Sequence, residues 1–326
     1  MALNWGILTA GNIARKFADG VAASSTGRLV AVGARDRERA AELAGLHQAR
    51  AFGSYEEVLA DPEVDAVYIA TPHHLHAEWT IKAAEAGKGV LCEKPFTMTA
   101  HEAESALTAV RRCGVFFMEA FMYRCSPQTR KVVQLLDEGA IGPVRAVSST
   151  FCFKSRPDWD NFRTDGRLGG GGLLDVGSYC TSFARLAVGE EPLEVAYTAD
   201  LARGYDAYGA GTLRFPGGAI ASIASGIQLT MRNDAVVYGE EGMLVVEEPW
   251  KSYPGSKVTL VREGRETEDF GLGCTGDELY AYEADAVAAH FDQKECPYMS
   301  LDDTLGNMRC LDRLRAACGY RFPDEA

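Results

Sequence analysis

Apolar and polar positions alternate along the first 120 residues in a repeating rhythm of short apolar runs and longer amphipathic stretches. Runs at Trp5–Leu8, Leu29–Gly33, Ala66–Ile69, Gly89–Cys92 and Val115–Glu119 have the length and content of buried strands. Between them the spacing predicts helices at about 12–23, 37–45, 54–60, 74–86 and 99–113. Strands alternating with helices of this length predict a parallel sheet covered on both faces. After Arg124 the rhythm changes. A helix at 127–138, ended by Gly139, is followed by strand-like runs at Val144–Phe153, Glu194–Leu201, Ala207–Phe215, Ala219–Thr230, Asn233–Gly239, Gly242–Glu247 and Lys257–Glu263. Strands following one another without helices pair antiparallel, and the alternation in Thr212–Phe215 suits a sheet with one face open. Helices return at about 173–187, 276–292 and 301–318. The expected fold class is therefore α/β: a parallel-sheet domain over residues 1–122, then an α+β domain over 123–326 with a large, open-faced, mostly antiparallel sheet. Such an open face is an expected association surface, giving a homodimer or higher homo-oligomer.

The totals change this picture little. The chain has 326 residues, enough for two domains, and a net charge of -13 that argues against nucleic acid and anionic membranes as partners. Nine scattered cysteines without a C-x-x-C pair read as reduced thiols in a cytoplasmic protein. Leu3–Leu8 already reads as a strand, not a signal peptide, and no apolar run approaches a membrane span.

Chemistry concentrates at the strand ends. The turn Gly6-Ile7-Leu8-Thr9-Ala10-Gly11-Asn12-Ile13-Ala14 matches G-x-G-x-x-G/A with Thr9 in the first glycine's place. Thr9, Ala10, Gly11, Asn12 and Ile13 would cradle a pyrophosphate at a helix start, unless Gly11 merely serves a tight turn. The second strand ends in Ala34 and Arg35 where an NAD-binding unit carries an acid for the ribose 2′-hydroxyl. Arg35 with Arg39 would grip a 2′-phosphate, which favours NADP over NAD as cofactor. Asp36 stands against this, and the arginines could equally decorate a helix start. The third strand end, Thr71-Pro72, lines the same groove, with His76 hydrogen-bonding beside it. His73, His74 and His76 lack further ligands at zinc spacing, so no metal is expected. Val90-Leu91-Cys92-Glu93-Lys94-Pro95 puts Lys94 at another strand end, because Pro95 excludes the helical region for the residue before it.

Assembled, these pieces resemble the glucose–fructose oxidoreductase/inositol dehydrogenase (Gfo/Idh/MocA) family. The resemblance rests on the Thr9–Ala14 turn, Ala70-Thr71-Pro72 with His76, Ala86 through Pro95, and Gly169-Gly170-Gly171-Gly172-Leu173-Leu174-Asp175-Val176-Gly177-Ser178-Tyr179. Met118 through Arg124 and Tyr280-Ala281-Tyr282-Glu283-Ala284 are similar to the dimeric dihydrodiol dehydrogenase and NADP-dependent aldose (xylose) dehydrogenase branch. The resemblance implies an N-terminal NAD(P)-binding Rossmann domain and a Lys94 that touches nicotinamide and substrate, with Glu93 on the cofactor side and Asp175 and Tyr179 beside the lysine.

The implied chemistry is hydride transfer between the nicotinamide and a secondary alcohol or hemiacetal carbon of a sugar, polyol or dihydrodiol. An unperturbed tyrosine, with a pKa of about 10, is a weak base at neutral pH; an ammonium beside it favours tyrosinate. Tyr179 is then the acid/base, Lys94 tunes it and Asp175 orients; Lys94 as proton carrier relayed through Tyr179 is the alternative. Many family members have histidine at the place of Tyr179. Met122, Tyr123, Phe153, Trp159 and Asn161 are candidate substrate contacts, by stacking or hydrogen bonding. Arg156 and Arg163 leave a charged sugar open. Two other functions compete: a catalytically silent NAD(P)-sensing protein, and a sugar-modifying enzyme with a retained cofactor as redox relay.

Overall fold

The computed structural model describes residues 2–156 and 161–322. Its contacts divide the chain into two compact units, one formed by Met1–Ser126 with Thr275–Leu305 and the other by Pro127–Cys274 with Gly306–Ala326.

The first unit runs β1 (Leu3–Leu8), α1 (Asn12–Ala23), β2 (Gly27–Gly33), α2 (Arg37–Leu46), β3 (Arg50–Phe52), α3 (Tyr55–Ala60), β4 (Ala66–Ile69), α4 (His76–Glu85), β5 (Gly89–Glu93), α5 (Ala100–Cys113), β6 (Phe117–Ala120) and the short α6 (Met122–Cys125). The six strands form one parallel sheet in the order β3-β2-β1-β4-β5-β6. β4 and β5 are buried at every position, as expected of strands covered on both faces. Strand order reverses between β1 and β4, and ligands of open α/β sheets bind outside the carboxyl ends of the strands at such a point. Three helix starts are fixed by side chains: Asp36 caps α2, Ser54 and Glu57 form a capping box on α3, and Thr99 caps α5. A further helix, Gly276–His290, packs on α1. The approach is close at Gly20, where a Cβ would stand 2.3 Å from that of Tyr280.

The second unit contains α7 (Pro127–Asp137), β7 (Val144–Cys152), α8 (Ser178–Val188) and seven further strands. These are β8 (Glu194–Ala199), β9 (Tyr208–Arg214), β10 (Ile220–Gly226), β11 (Asp234–Gly239), β12 (Gly242–Glu247), β13 (Lys257–Arg262) and β14 (Glu268–Gly271). In chain order the helix Gly276–His290 is then α9, and α10 is Leu301–Ala317. The eight strands form one sheet, β14-β13-β12-β11-β7-β10-β9-β8, antiparallel throughout except for the parallel pair β7–β10. Its register explains the open face. The row Val237–Val147–Ala221–Leu213 is buried, while the neighbouring row carries Tyr238, Ile220, Arg214 and Glu194 on the exposed side. α8 covers the inner face over β7 and β10.

No helix among the described residues is long and apolar enough to cross a membrane. None of the nine cysteines is in a disulfide, and seven of them are buried.

Candidate active site

Four loops leave the carboxyl edge of the parallel sheet with the residues singled out above. After β1, Thr9 occupies the left-handed region at φ 115°, a conformation that normally selects glycine. Two bonds compensate: its amide donates to the Gly33 carbonyl (2.9 Å) and its hydroxyl to the Ala70 carbonyl (3.3 Å). Gly11 opens α1 with no side-chain cap, which leaves the first-turn amides directed out of the helix. A Cβ at Gly11 would meet only Thr9 Oγ1, at 3.9 Å. Among the described residues nothing else comes within 4 Å of that point, which leaves room beside the helix start for an anion.

After β2, Ala34 is buried while Arg35 and Arg39 are exposed, and among the described residues neither arginine has an ion-pair partner. Asp36, the residue that stands against a 2′-phosphate, is engaged in the α2 cap, accepting from the amides of Glu38 (3.0 Å) and Arg39 (3.3 Å).

After β4, Thr71 is buried and Pro72 half-buried. The His76 imidazole is completely buried, with Nε2 2.8 Å from the Thr71 carbonyl and Nδ1 2.9 Å from the Pro95 carbonyl. Burial pushes its pKa down to about 4 against the pull of those carbonyls. His76 thus ties the loop after β4 to the loop after β5. Among the described residues no group of three or more His, Cys, Asp or Glu side chains could hold a metal ion.

After β5, Lys94 is half-buried at the strand end and its peptide bond to Pro95 is cis. The Lys94 amide donates to Glu93 Oε2 (3.2 Å), and Tyr68 donates a short hydrogen bond to Glu93 Oε1. Glu93 faces inward, so it supports the lysine loop from below, where the sequence suggested a cofactor contact. Behind it lies Glu283 of α9, completely buried, with no protein hydrogen-bond partner for either oxygen among the described residues. Burial, and then the charge of Glu93, push its pKa well above the carboxylate range. A raised folded-state pKa means stability present below the unfolded value of about 4.3 and lost as pH rises toward the folded one. Glu283→Gln should therefore match the wild-type melting temperature near pH 5 and exceed it near pH 8, as read by thermal unfolding; parallel curves would show a Glu283 that ionises freely.

The second unit holds Asp175 and Tyr179. A single π turn, Leu173–Gly177, opens α8; such turns recur at functional sites. Asp175 lies in the π turn and Tyr179 in the first α turn, so the simple i, i+4 alignment of an α-helix does not hold across them. Asp175 is buried and accepts from Arg163 Nε (2.9 Å). Tyr179 is 3% exposed, and its ring meets Phe151 and Trp250 edge-on at 5.2 and 5.8 Å between centroids. Trp250 is itself fixed by its indole N–H to the Thr150 carbonyl (2.8 Å).

The glycine run is buried against the unit's own backbone and the Asp206 side chain. A Cβ at Gly170 would stand 2.6 Å from the Arg163 carbonyl, at Gly171 1.9 Å from Asp206 Oδ1, and at Gly172 2.9 Å from Gly226 Cα. Of the substrate candidates, Tyr123 is fully buried with its ring edge-on to Phe121, which makes it a core residue. Met122 is 7% exposed. Phe153 is half-buried, its amide bonded to the Gly226 carbonyl (2.9 Å). Asn161 is half-buried, and its side chain accepts from the Arg163 amide (3.1 Å). Trp159 lies outside the described residues. Asp206 and Glu283 did not emerge from the sequence; for Glu283 a signal existed, an acid inside the apolar stripe Leu279, Tyr280, Ala284, Val287.

A parallel sheet with this switch point and an open helix N-terminus after β1 defines the dinucleotide-binding class. The comparisons agree. Residues 3–121 match the oxidoreductase family with an NAD-binding Rossmann fold, and residues 129–245 match the GFO/IDH/MocA C-terminal domain, so the chain belongs to the Gfo/Idh/MocA oxidoreductase family. It is 34% identical to a mouse trans-1,2-dihydrobenzene-1,2-diol dehydrogenase, over 100% of this chain and 99% of the relative. It is also 34% identical to a D-xylose 1-dehydrogenase (NADP(+)) of Haloferax volcanii, over 95% of each. Among solved structures, a 3-ketoreductase from Actinomadura kijaniata with NADP and TDP-benzene is similar at TM-score 0.86 and 28% identity, covering 97% of this chain and 98% of that one. An aldose-aldose oxidoreductase from Caulobacter crescentus is similar at TM-score 0.89 and 27% identity, covering 98% of both.

Proposed function

We propose that this oxidoreductase is an NADP-preferring dehydrogenase or reductase acting on a secondary alcohol or hemiacetal carbon of a sugar, polyol or dihydrodiol. The observation that carries the reading is the place of Lys94, at the end of β5 on the sheet edge where the Gly11 cradle opens. The names of the mouse and Haloferax relatives support the substrate classes and the cofactor. NADP, when bound, supplies or accepts the hydride at C4 of its nicotinamide. The first-turn amides of α1 hold the pyrophosphate, and Arg35 with Arg39 pair with the 2′-phosphate. Lys94 donates a hydrogen bond to the substrate oxygen and its charge favours the tyrosinate form of Tyr179, which removes the hydroxyl proton. Asp175, held by Arg163, orients the substrate by accepting a hydrogen bond. Met122, Phe153 and Asn161 are the substrate contacts this reading retains. A cytoplasmic location fits nine cysteines that form no disulfide. The exposed Tyr208, Ile220 and Tyr238 suit self-association through the open sheet face.

A turnover screen of aldoses, inositols and trans-dihydrodiols with NADP tests the reading; activity in one class is expected, and silence across all three would leave the sensing role in its place. Fluorescence titration is expected to show NADPH bound more tightly than NADH. Arg35→Ala should weaken NADPH about 10-fold or more, the scale of one charge-assisted pair, and leave NADH unchanged. Tighter NADH binding by the wild type would sink the role given to Arg35.

A further inference from the structure

We propose that Asp206 is the positioning residue for Asp175 and Tyr179, holding from one buried carboxylate the turn that carries both; this rests on the roles proposed for those two residues. Asp206 lies in the loop between β8 and β9 and is completely buried. Its Oδ2 accepts from the Leu173 amide (2.5 Å) and its carbonyl accepts from the Gly172 amide (2.7 Å). One residue therefore fastens two successive amides at the start of the π turn, where helical donors lack intrahelical acceptors and a carboxylate also complements the helix dipole.

The hold reaches Asp175 through a closed circuit. Oδ1 of Asp206 lies where a side chain at Gly171 would begin, and Gly171 has φ 122°. The Gly171 carbonyl accepts from the Asp175 amide (3.2 Å), and its own amide donates to the Arg163 carbonyl (2.9 Å). Arg163 Nε then returns to Asp175 Oδ2 (2.9 Å). Tyr320 closes the far side, its hydroxyl donating to the Gly170 carbonyl (3.1 Å). Asp206 cannot move without moving the main chain of Asp175, and Tyr179 follows four residues on.

The hold is also sensitive to protons. The titratable groups around Asp206 are Asp175, Tyr197 of β8, Cys318 and Tyr320, none of them a cation. Arg163 stands with Asp175, and Arg315 beside Cys318 and Tyr320. Burial pushes the Asp206 carboxyl up to about 7, opposed by the amides of Leu173, Asp206 and Gly172 and furthered by Asp175. Because burial outweighs the amide bonds, the ionised carboxylate gains more from water than from the closed turn, and the hold weakens as pH rises toward and through that value. The turn is held tightest on the acid side of neutrality.

Hydrogen exchange of the 170–177 segment reads this directly in the NADPH-bound protein. After correction for the intrinsic rate, wild-type protection is expected to fall about 10-fold between pH 6 and 8, the scale of one proton released on opening. In Asp206→Asn, which keeps an acceptor without a titrating group, the pH dependence should vanish. In Asp206→Ala protection should fall at every pH while residues 181–188 of α8 stay protected. On a substrate that is turned over, Asp206→Ala should lower kcat more than it raises KM, with NADPH affinity unchanged, and Asp206→Asn should restore kcat without the inflection near pH 7. Exchange in Asp206→Asn that still follows the wild-type pH dependence would overturn the proposal. If neither variant folds, an unchanged wild-type protection between pH 6 and 8 overturns it alone. Failure of the tyrosine role shows separately, as wild-type turnover in Tyr179→Phe with the exchange results intact.

Discussion

Lys94→Ala is expected to lower turnover by about 10²–10⁴-fold, the range of a general acid–base contribution, while NADPH binding changes little. The cradle after β1 and the arginines after β2 leave the sheet at other strands, so removing the lysine spares them. Tyr179→Phe should produce a loss of the same order. Its ring stays seated on Phe151 and Trp250, so the phenylalanine variant isolates the hydroxyl from the packing. The combination is the sharper measurement. Two groups handling one proton are non-additive, and the double variant should be scarcely worse than the poorer single one. Steady-state kinetics of the three variants decide it: fully multiplicative losses would mean that lysine and tyrosine act on separate steps.

Gly171→Ala should destabilise the second unit by about 3 kcal/mol or more, adding backbone strain at positive φ to overpacking. Its φ is 122°, and a methyl would stand 1.9 Å from the Asp206 carboxylate, itself held by the Leu173 amide. Neither partner has room to yield, because Asp206 is completely buried. Gly204→Ala is the control, since a Cβ there meets nothing within 4 Å although φ is also positive, at 78°. Chemical denaturation of the two variants separates strain alone from strain with collision; equal losses would show that Asp206 does not crowd Gly171.

Much of this fold is legible in the apolar pattern because its elements are long and each has a clear period. The boundaries of α1, β4 and β12 fall where the periodicity puts them. What escapes is short or lies at an edge. β3 has three residues and begins with an exposed arginine, and β14 reads Glu-Asp-Phe-Gly, with no apolar alternation to betray it. The strand-end residues stand out for a related reason: proline, glycine or a lone charge interrupts an apolar run just where the sheet stops. Asp206 owes its character to burial by segments distant in sequence, and no local pattern encodes that, whereas Glu283 shows only as an acid set within an apolar helical stripe. Likewise the run Gly169–Gly172 is conspicuous in the sequence, yet its cause, the carbonyls of Arg163 and Asp165 and the Asp206 carboxylate, appears only in three dimensions.

The return of Thr275–Leu305 to the first unit has a consequence for how the molecule is made. Synthesis runs from the amino end, and domains fold as units as they emerge. The six-stranded sheet is complete by Ala120, but the helix that covers α1 and buries Glu283 behind the lysine loop is translated some 150 residues later. Until then α1 presents to solvent the face around Gly20 that Tyr280 will cover. A nascent chain stalled before residue 275 would lack the returning segments of both units, Thr275–Leu305 for the first and Gly306–Ala326 for the second, a species for chaperones to shield.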